Sequence, residues 1–155
     1  MINVAQIGVG YWGPNLLRNL TSHTNCNVSA VVELSRNRQK FVQTLYPKIN
    51  ITDNIQSVLT DSSIDAVIIA TPVSSHYDIT MMALKSGKHV LVEKPMAKKT
   101  SEVREIGKIA KENDLVAMVG HTFLFNSAVR YIKKLIESNE LGDIRYIYSQ
   151  RLNLG

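Results

Sequence analysis

Val4-Ala5-Gln6-Ile7-Gly8-Val9-Gly10-Tyr11-Trp12-Gly13-Pro14 is the stretch from which the rest of the chain can be read. Residues 4–7 are a short run of strand length, and Gly8, Gly10 and Gly13 follow at G-x-G-x-x-G spacing before a helical pattern begins. Each glycine has a physical purpose at this spacing. The first permits a tight turn, the second lets a pyrophosphate approach the backbone, and the third lets the helix pack close to the strand. The helix start then offers free N–H groups and the positive end of its dipole to phosphate. Glu33 closes the next apolar run, twenty residues after Gly13. A carboxylate there can accept hydrogen bonds from the ribose 2′- and 3′-hydroxyls and repels a 2′-phosphate. The expectation is a dinucleotide site that prefers NAD, with NADP the lesser alternative because Ser35 and Arg36 could hold a phosphate if Glu33 turned away. A glycine-rich turn with no ligand is the bland reading of the fingerprint alone; the strand before it and the acid after it weigh against that.

Working outward, residues 28–32, 66–70, 90–92 and 116–119 are further apolar runs of strand length. Continuous apolar strands are expected where a parallel sheet is covered on both faces. Helical faces alternate with them: Ile79, Met82 and Ala83; Val103, Ile106 and Ala110; Val129, Ile132 and Ile136. The fold expected is α/β, a doubly wound parallel sheet of the Rossmann type. After Leu141-Gly142-Asp143, a helix-stop and turn signal, residues 144–152 read as a long strand. Ile144, Tyr146 and Tyr148 fall on one of its faces, and Arg145, Ser149 and Arg151 on the other. Such a strand with nothing following it reads as a cut. Left alone, its edge is a template for another chain, so a homodimer through residues 144–152 is expected.

The composition of the 155 residues, 45% hydrophobic and 20% charged, is that of a globular domain. The net charge of +5 invites a nucleic-acid reading. However, the densest basic stretch, 94–111, is interleaved with Glu102 and Glu105 as on a solvated helix. Steering of an anionic ligand accounts for the charge more simply, and no nucleic-acid partner is expected. No run of about 18 apolar residues is present, so no membrane span is expected. The start lacks a basic region ahead of an apolar stretch, which argues against a secretory signal. Cys26 is the one cysteine, which fits a reducing cytoplasm. The four histidines and Cys26 have no ligand spacing, so no metal site is expected.

Ligands of open parallel sheets collect beyond the carboxyl ends of the strands. Thr71 and Pro72 end the run 66–70, and His76 follows in the next turn. Glu93 and Lys94 end the run 90–92, with Pro95 limiting the conformations open to Lys94. His121 follows the run 116–119. A lysine held in a cleft beside a carboxylate can be tuned for proton transfer. From spacing alone, a surface Lys–Glu pair and a polar helix-start histidine remain the simpler readings of Lys94 and His76.

Taken together these residues resemble the Gfo/Idh/MocA family of NAD(P)-dependent sugar oxidoreductases. The resemblance rests on G-V-G-Y-W-G-P-N at 8–15, V-V-E at 31–33 with Arg38 beyond it, A-T-P-V-S-S-H at 70–76 and V-E-K-P at 92–95. V-G-H-T-F-L-F-N-S-A-V at 119–129 and S-Q-R-L-N-L-G at 149–155 are similar to the nucleotide-sugar branch, which oxidises the 3-hydroxyl of UDP-linked amino-sugar acids. The resemblance implies that Gly8, Val9, Gly10, Tyr11, Trp12 and Gly13 surround the pyrophosphate, that Glu33 holds the adenosine ribose and that Arg38 lies against the adenine. It places Thr71, Pro72 and His76 along the path to the nicotinamide, with Glu93 and Lys94 at the nicotinamide ribose and substrate. Lys94 is then the catalytic residue, hydrogen-bonding the reacting hydroxyl. His121 and Asn126 are the candidate substrate contacts. The substrate implied is a sugar or UDP-sugar.

Two substitutions depart from the family pattern: Glu33 where Asp is frequent, and Ser127 where Pro is frequent. Family members are also longer, with a second half that carries most of the substrate pocket. The expected organisation is therefore a dinucleotide-binding domain over 1–121, then a linking helix and the first strand of an otherwise missing α+β domain over 122–155. Such a chain is expected to bind cofactor and to be inactive by itself. Two other classes stay open at this point: a non-catalytic NAD-binding module and an S-adenosylmethionine-dependent methyltransferase.

Overall fold

Ile2–Ile7 forms the first strand, β1, and its last four residues are buried. Helix α1 (Gly13–Ser22) follows the glycine loop, and β2 (Cys26–Val32) and α2 (Arg36–Leu45) come next. They are followed by β3 (Asn50–Thr52), α3 (Ile55–Leu59), β4 (Ala66–Ile69), α4 (His76–Lys85), β5 (His89–Val92), α5 (Thr100–Glu112), β6 (Ala117–Val119) and α6 (Ser127–Glu137). This is a computed structural model, in which residues 1–150 and Leu152 are described. The six strands make one sheet in the order β3-β2-β1-β4-β5-β6, and every pair is parallel. That order reverses direction between β1 and β4, the place where doubly wound sheets open a crevice for a ligand.

Alternate residues of each strand face opposite layers. Ala5, Ile7, Val67, Ile69, Val90 and Val92 pack against Val58, Leu59, Met81, Leu84 and Ile106, so α3, α4 and α5 cover one face. Val4, Val28, Val31 and Ile68 pack with Leu17 of α1 and Val42 of α2 on the other. The pairing of β1 with β2 slips by one residue, because Val4 opposes Val28 while Ala5 opposes Ala30. Ser29 is the extra residue, and it re-phases the strand so that Val28 and Val31 share a face.

The sequence reading did not include β3. It is a three-residue edge strand, Asn-Ile-Thr, too short and too polar to stand out as an apolar run. Its partner β2 supplies the reason it forms, through the register Ala30–Asn50, Val31–Ile51 and Val32–Thr52.

The chain divides into two units, Met1–Gly120 and His121–Gly155. The first carries the sheet. In the second, a 3-10 turn at Thr122–Phe125 precedes α6. There Arg130 donates from Nε to the Leu124 carbonyl at 3.0 Å, and its guanidinium lies over the Phe125 ring. The helical period expected from Val129, Ile132 and Ile136 is present, but no residue of α6 is buried.

The strand expected at 144–152 is a correction. Residues 144–150 form no strand, and Tyr146 and Tyr148 are strongly exposed; Arg151 lies outside the described residues. An alternating pattern supplies only the faces of a strand, while the strand itself needs a neighbour for its hydrogen-bond ladder. Among the described residues no helix is long and apolar enough to cross a membrane.

The fold rests on both layers, and Leu17 is fully buried in the one formed by α1 and α2. Leu17→Ala is expected to lower stability by about 3 kcal/mol, the scale of a large-to-small change in a packed core. Urea denaturation followed by circular dichroism measures it.

Candidate cofactor-binding site

The parallel register sets the site before any side chain does. Ile7 is opposite Val32 on one side and Ile69 on the other, and Ile69 is opposite Val92. The next residues, Gly8, Glu33, Ala70 and Glu93, therefore lie in one row along the carboxyl edge of the sheet. Their amides complete it: Gly8 donates to Val32, Ala70 to Ile7 and Glu93 to Ile69, at 2.8–2.9 Å. Loops that carry the glycine fingerprint, the acid and the E-K-P motif all start from this row.

The three glycines of the fingerprint are required for different reasons. Gly8 has a φ of +89°, which side-chain-bearing residues rarely adopt, and a Cβ there would lie 2.7 Å from the Ala70 carbonyl oxygen. A Cβ on Gly13 would lie 2.9 Å from the Gly8 carbonyl oxygen. Gly10 differs, since its nearest atoms would be the Ala70 oxygen at 3.8 Å and an Arg38 nitrogen at 4.0 Å. The protein's own packing leaves room for a side chain at Gly10.

Helix α1 begins at the same place with Pro14 in its first turn, no side-chain cap from Trp12 and no acidic residue in that turn. Its first amides are thus not spent on a side-chain cap, which leaves them for an anion. Tyr11 is 95% exposed and Trp12 48% exposed at the rim of this loop.

Three side chains brace the loop. Gln6, fully buried on β1, donates from Nε2 to the carbonyls of Gly8 and Gly13, both at 2.9 Å. It ties the first glycine to the third from beneath. Glu33 accepts from the Val9 amide at 2.7 Å and from the Ser35 amide at 2.8 Å. The Arg38 guanidinium donates to the Val9 carbonyl. The structure thus gives Glu33 and Arg38 contacts with the glycine loop that the sequence reading, which had them at the ribose and the adenine, did not include. Each carboxylate oxygen still has lone-pair capacity for a hydroxyl. Gln6 was missed altogether, although a polar residue inside an otherwise apolar run was a signal available in the sequence.

At the end of β4, Thr71 places Cγ2 where it would meet a Cβ on Gly8 at 2.9 Å, and its hydroxyl accepts from Ser75 at 2.8 Å. Pro72 is exposed beside it. His76 is placed differently from the sequence expectation of a side chain lining the nicotinamide path. It is 2% exposed, with Nε2 2.8 Å from the Thr71 carbonyl oxygen and Nδ1 2.7 Å from that of Pro95. As the first residue of α4, it shares the helix's inward face with Thr80 and Leu84.

At the end of β5, the Glu93 carboxylate accepts from the Lys94 backbone amide at 3.2 Å. A Cβ on Gly120 would come within 3.2 Å of it. The Lys94–Pro95 bond is cis. Lys94 is exposed, and its ammonium has no hydrogen bond or ion pair among the described residues. The surface Lys–Glu pair that spacing alone favoured is therefore not formed.

His121 and Asn126 belong to the second unit. His121 is exposed. Asn126 caps α6, its Oδ1 accepting from the amides of Ala128 and Val129 at 3.0 and 3.2 Å. A cap explains this residue type without a substrate. Among the described residues no three His, Cys, Asp or Glu side chains converge as metal ligands would. A cavity of about 610 Å³ opens elsewhere, at the amino ends of β4 and β5. Its buried Lys88 donates to the carbonyls of Asp61 and Ile64 at 2.6 and 2.7 Å.

The profile of an oxidoreductase family with an NAD-binding Rossmann fold, Gfo/Idh/MocA, matches residues 2–121. The chain is 32% identical over 151 residues to a 2,7-anhydro-N-acetylneuraminate hydratase of Escherichia coli, covering 97% of this chain and 40% of that protein. Among solved structures, myo-inositol 2-dehydrogenase from Lactobacillus plantarum superimposes with a TM-score of 0.84 at 25% identity, over 92% of this chain and 43% of that one. KijD10, a 3-ketoreductase from Actinomadura kijaniata solved with NADP and TDP-benzene, gives a TM-score of 0.84 at 25% identity, over 93% and 44%. The chain thus spans less than half the length of these relatives. With the glycine loop, the acid after β2 and the E-K-P turn on one edge of a six-stranded parallel sheet, the chain belongs to the Gfo/Idh/MocA oxidoreductases and carries their NAD-binding Rossmann fold.

Proposed function

We propose that this chain holds NAD for an oxidoreductase acting on a sugar or nucleotide-sugar hydroxyl, and that it binds the cofactor without completing the reaction alone. Gly10 carries the reading: the fold itself leaves space for a Cβ there, beside the α1 start that has no side-chain cap. That cradle fits a pyrophosphate. Gly8, Gly10, Gly13 and the α1 amides hold it, and Glu33 accepts from the adenosine ribose while keeping its ties to Val9 and Ser35. When bound, the nicotinamide supplies the hydride acceptor. Lys94, whose ammonium has no partner among the described residues, donates a hydrogen bond to the reacting hydroxyl and stabilises the charge that develops on its oxygen as the proton passes to water. A nucleotide sugar as the substrate is supported by the motifs at 119–129 and by the likeness to a 3-ketoreductase solved with a TDP compound. The relative named a hydratase supports a second reading, net hydration, in which NADH does not accumulate.

Isothermal titration calorimetry tests the cofactor reading. NAD is expected to bind, and Glu33→Ala to lower the preference for NAD over NADP by about tenfold, the scale of a lost hydrogen bond plus lost charge repulsion. No heat from NAD at millimolar concentration would remove the proposal.

Hydride transfer needs the substrate held in line, and positioning supplies much of the rate. One lysine does not supply that geometry. Steady-state NADH production from UDP-sugars or free sugars is expected to be negligible, followed by absorbance; turnover matching a full-length dehydrogenase would overturn this part. The apolar alternation at Ile144, Tyr146 and Tyr148 further supports pairing between two copies. Light scattering at tens of micromolar should then give a dimer that becomes a monomer when residues 143–155 are removed.

A further inference from the structure

His76 is the buried titratable side chain of this edge for which the reaction has no use, and its surroundings are unusual. Both ring nitrogens lie within 2.8 Å of a backbone carbonyl oxygen. A carbonyl oxygen only accepts, and a neutral imidazole has one N–H to give. A neutral ring would therefore turn a lone pair toward one of the two oxygens at contact distance, inside a site only 2% exposed. Whichever nitrogen carries the proton, the ring stands between the two carbonyls and touches both.

The two acceptors matter because of what they follow. Thr71 is the residue after Ala70, whose amide makes the last β4 bond to β1. Pro95 follows Lys94, two residues beyond the Glu93 amide that makes the last β5 bond to β4. Past those bonds the sheet no longer sets the spacing of the two loops. The His76 ring spans that gap, and it is anchored on α4, whose Thr80, Met81, Ala83 and Leu84 are buried.

We propose that His76 is a positioning residue for Lys94: its buried ring stands between the wall after β4 and the loop that carries the lysine, and holds the two together. The proposal rests on the cofactor reading for its effect on binding, but not for its geometry. It also replaces a contact with the nicotinamide by a role one step behind it. The ring acts on the backbone of that loop and the Lys94 side chain stays exposed.

The test has two arms. In the first, the NMR spectrum of the unsubstituted chain should show a His76 ring N–H that is protected from solvent exchange and coupled through a hydrogen bond to the Thr71 or the Pro95 carbonyl. A ring N–H that exchanges freely with water overturns the proposal. In the second, NADH affinity is measured for the unsubstituted chain, His76→Gln, Lys94→Ala and the double variant. Gln carries both donor hydrogens on one nitrogen, so it lacks the two separate ring nitrogens that reach the two carbonyls. Each single variant is expected to weaken NADH by about tenfold, and the double variant no more than Lys94→Ala alone, because His76 acts through that loop. Additive losses, or no loss in either single variant, overturn the positioning role. If the unsubstituted chain binds no NADH, the cofactor reading falls instead, and the NMR arm decides the geometry of the clamp. If His76→Gln does not fold, as judged by circular dichroism, the NMR arm decides by itself.

Discussion

The register of β1 against β2 and β4 is the constraint on which everything else depends. Gly8 donates back to Val32 and Ala70 donates back to Ile7, so the loops after β1, β2 and β4 leave the sheet at one level. Parallel strands put all their carboxyl ends on one edge, and the reversal of strand order between β1 and β4 keeps the crossovers from closing over it. A one-residue slip would turn each strand's faces over. The extra residue Ser29 shows how tightly this is held, because it re-phases β2 so that Val31 and Val32 still point to their own layers before Glu33 emerges at the rim.

Above that edge the loops are held by buried polar side chains. Gln6 uses its amide on two carbonyls of the glycine loop, Glu33 spans two amides, and His76 spans two carbonyls. Loop backbone that turns away from the sheet has donors and acceptors that must be met, since an unmet buried polar group costs about 1–3 kcal/mol. Side chains anchored on β1, after β2 and on α4 meet them. The same bonds hold the loops in one shape before a ligand arrives, which lowers the ordering cost of binding.

Pieces of the site with no internal partner are as informative as those with one. Gly10 has room for a side chain, the start of α1 has no side-chain cap, and the Lys94 ammonium has no partner among the described residues. These are the groups on which the proposed cofactor reading rests. The chain belongs to the family, and the proteins it is similar to include a hydratase and an inositol dehydrogenase.

What sequence by itself determined was local or periodic. The glycine spacing dictates a turn because only glycine tolerates the φ of Gly8, and the apolar runs dictate strands covered on both faces because period and composition are properties of neighbouring residues. From these the parallel α/β sheet and the strand-end location of Glu33, Thr71 and Lys94 were readable, and the family from the resemblance of the motifs at 8–15, 70–76 and 92–95. What only the tertiary structure decided were the partners of polar side chains across 19 to 29 positions of chain: His76 with Pro95, Val9 with Glu33, Val9 with Arg38. The resemblance put His76 along the path to the nicotinamide, and only the packing of α4 shows its ring turned inward. The edge strand β3 and the stretch 144–150 mark the same limit from both sides. Three polar residues become a strand because β2 offers them a ladder, while a well-patterned stretch stays irregular without one. Strand formation is a property of the pair.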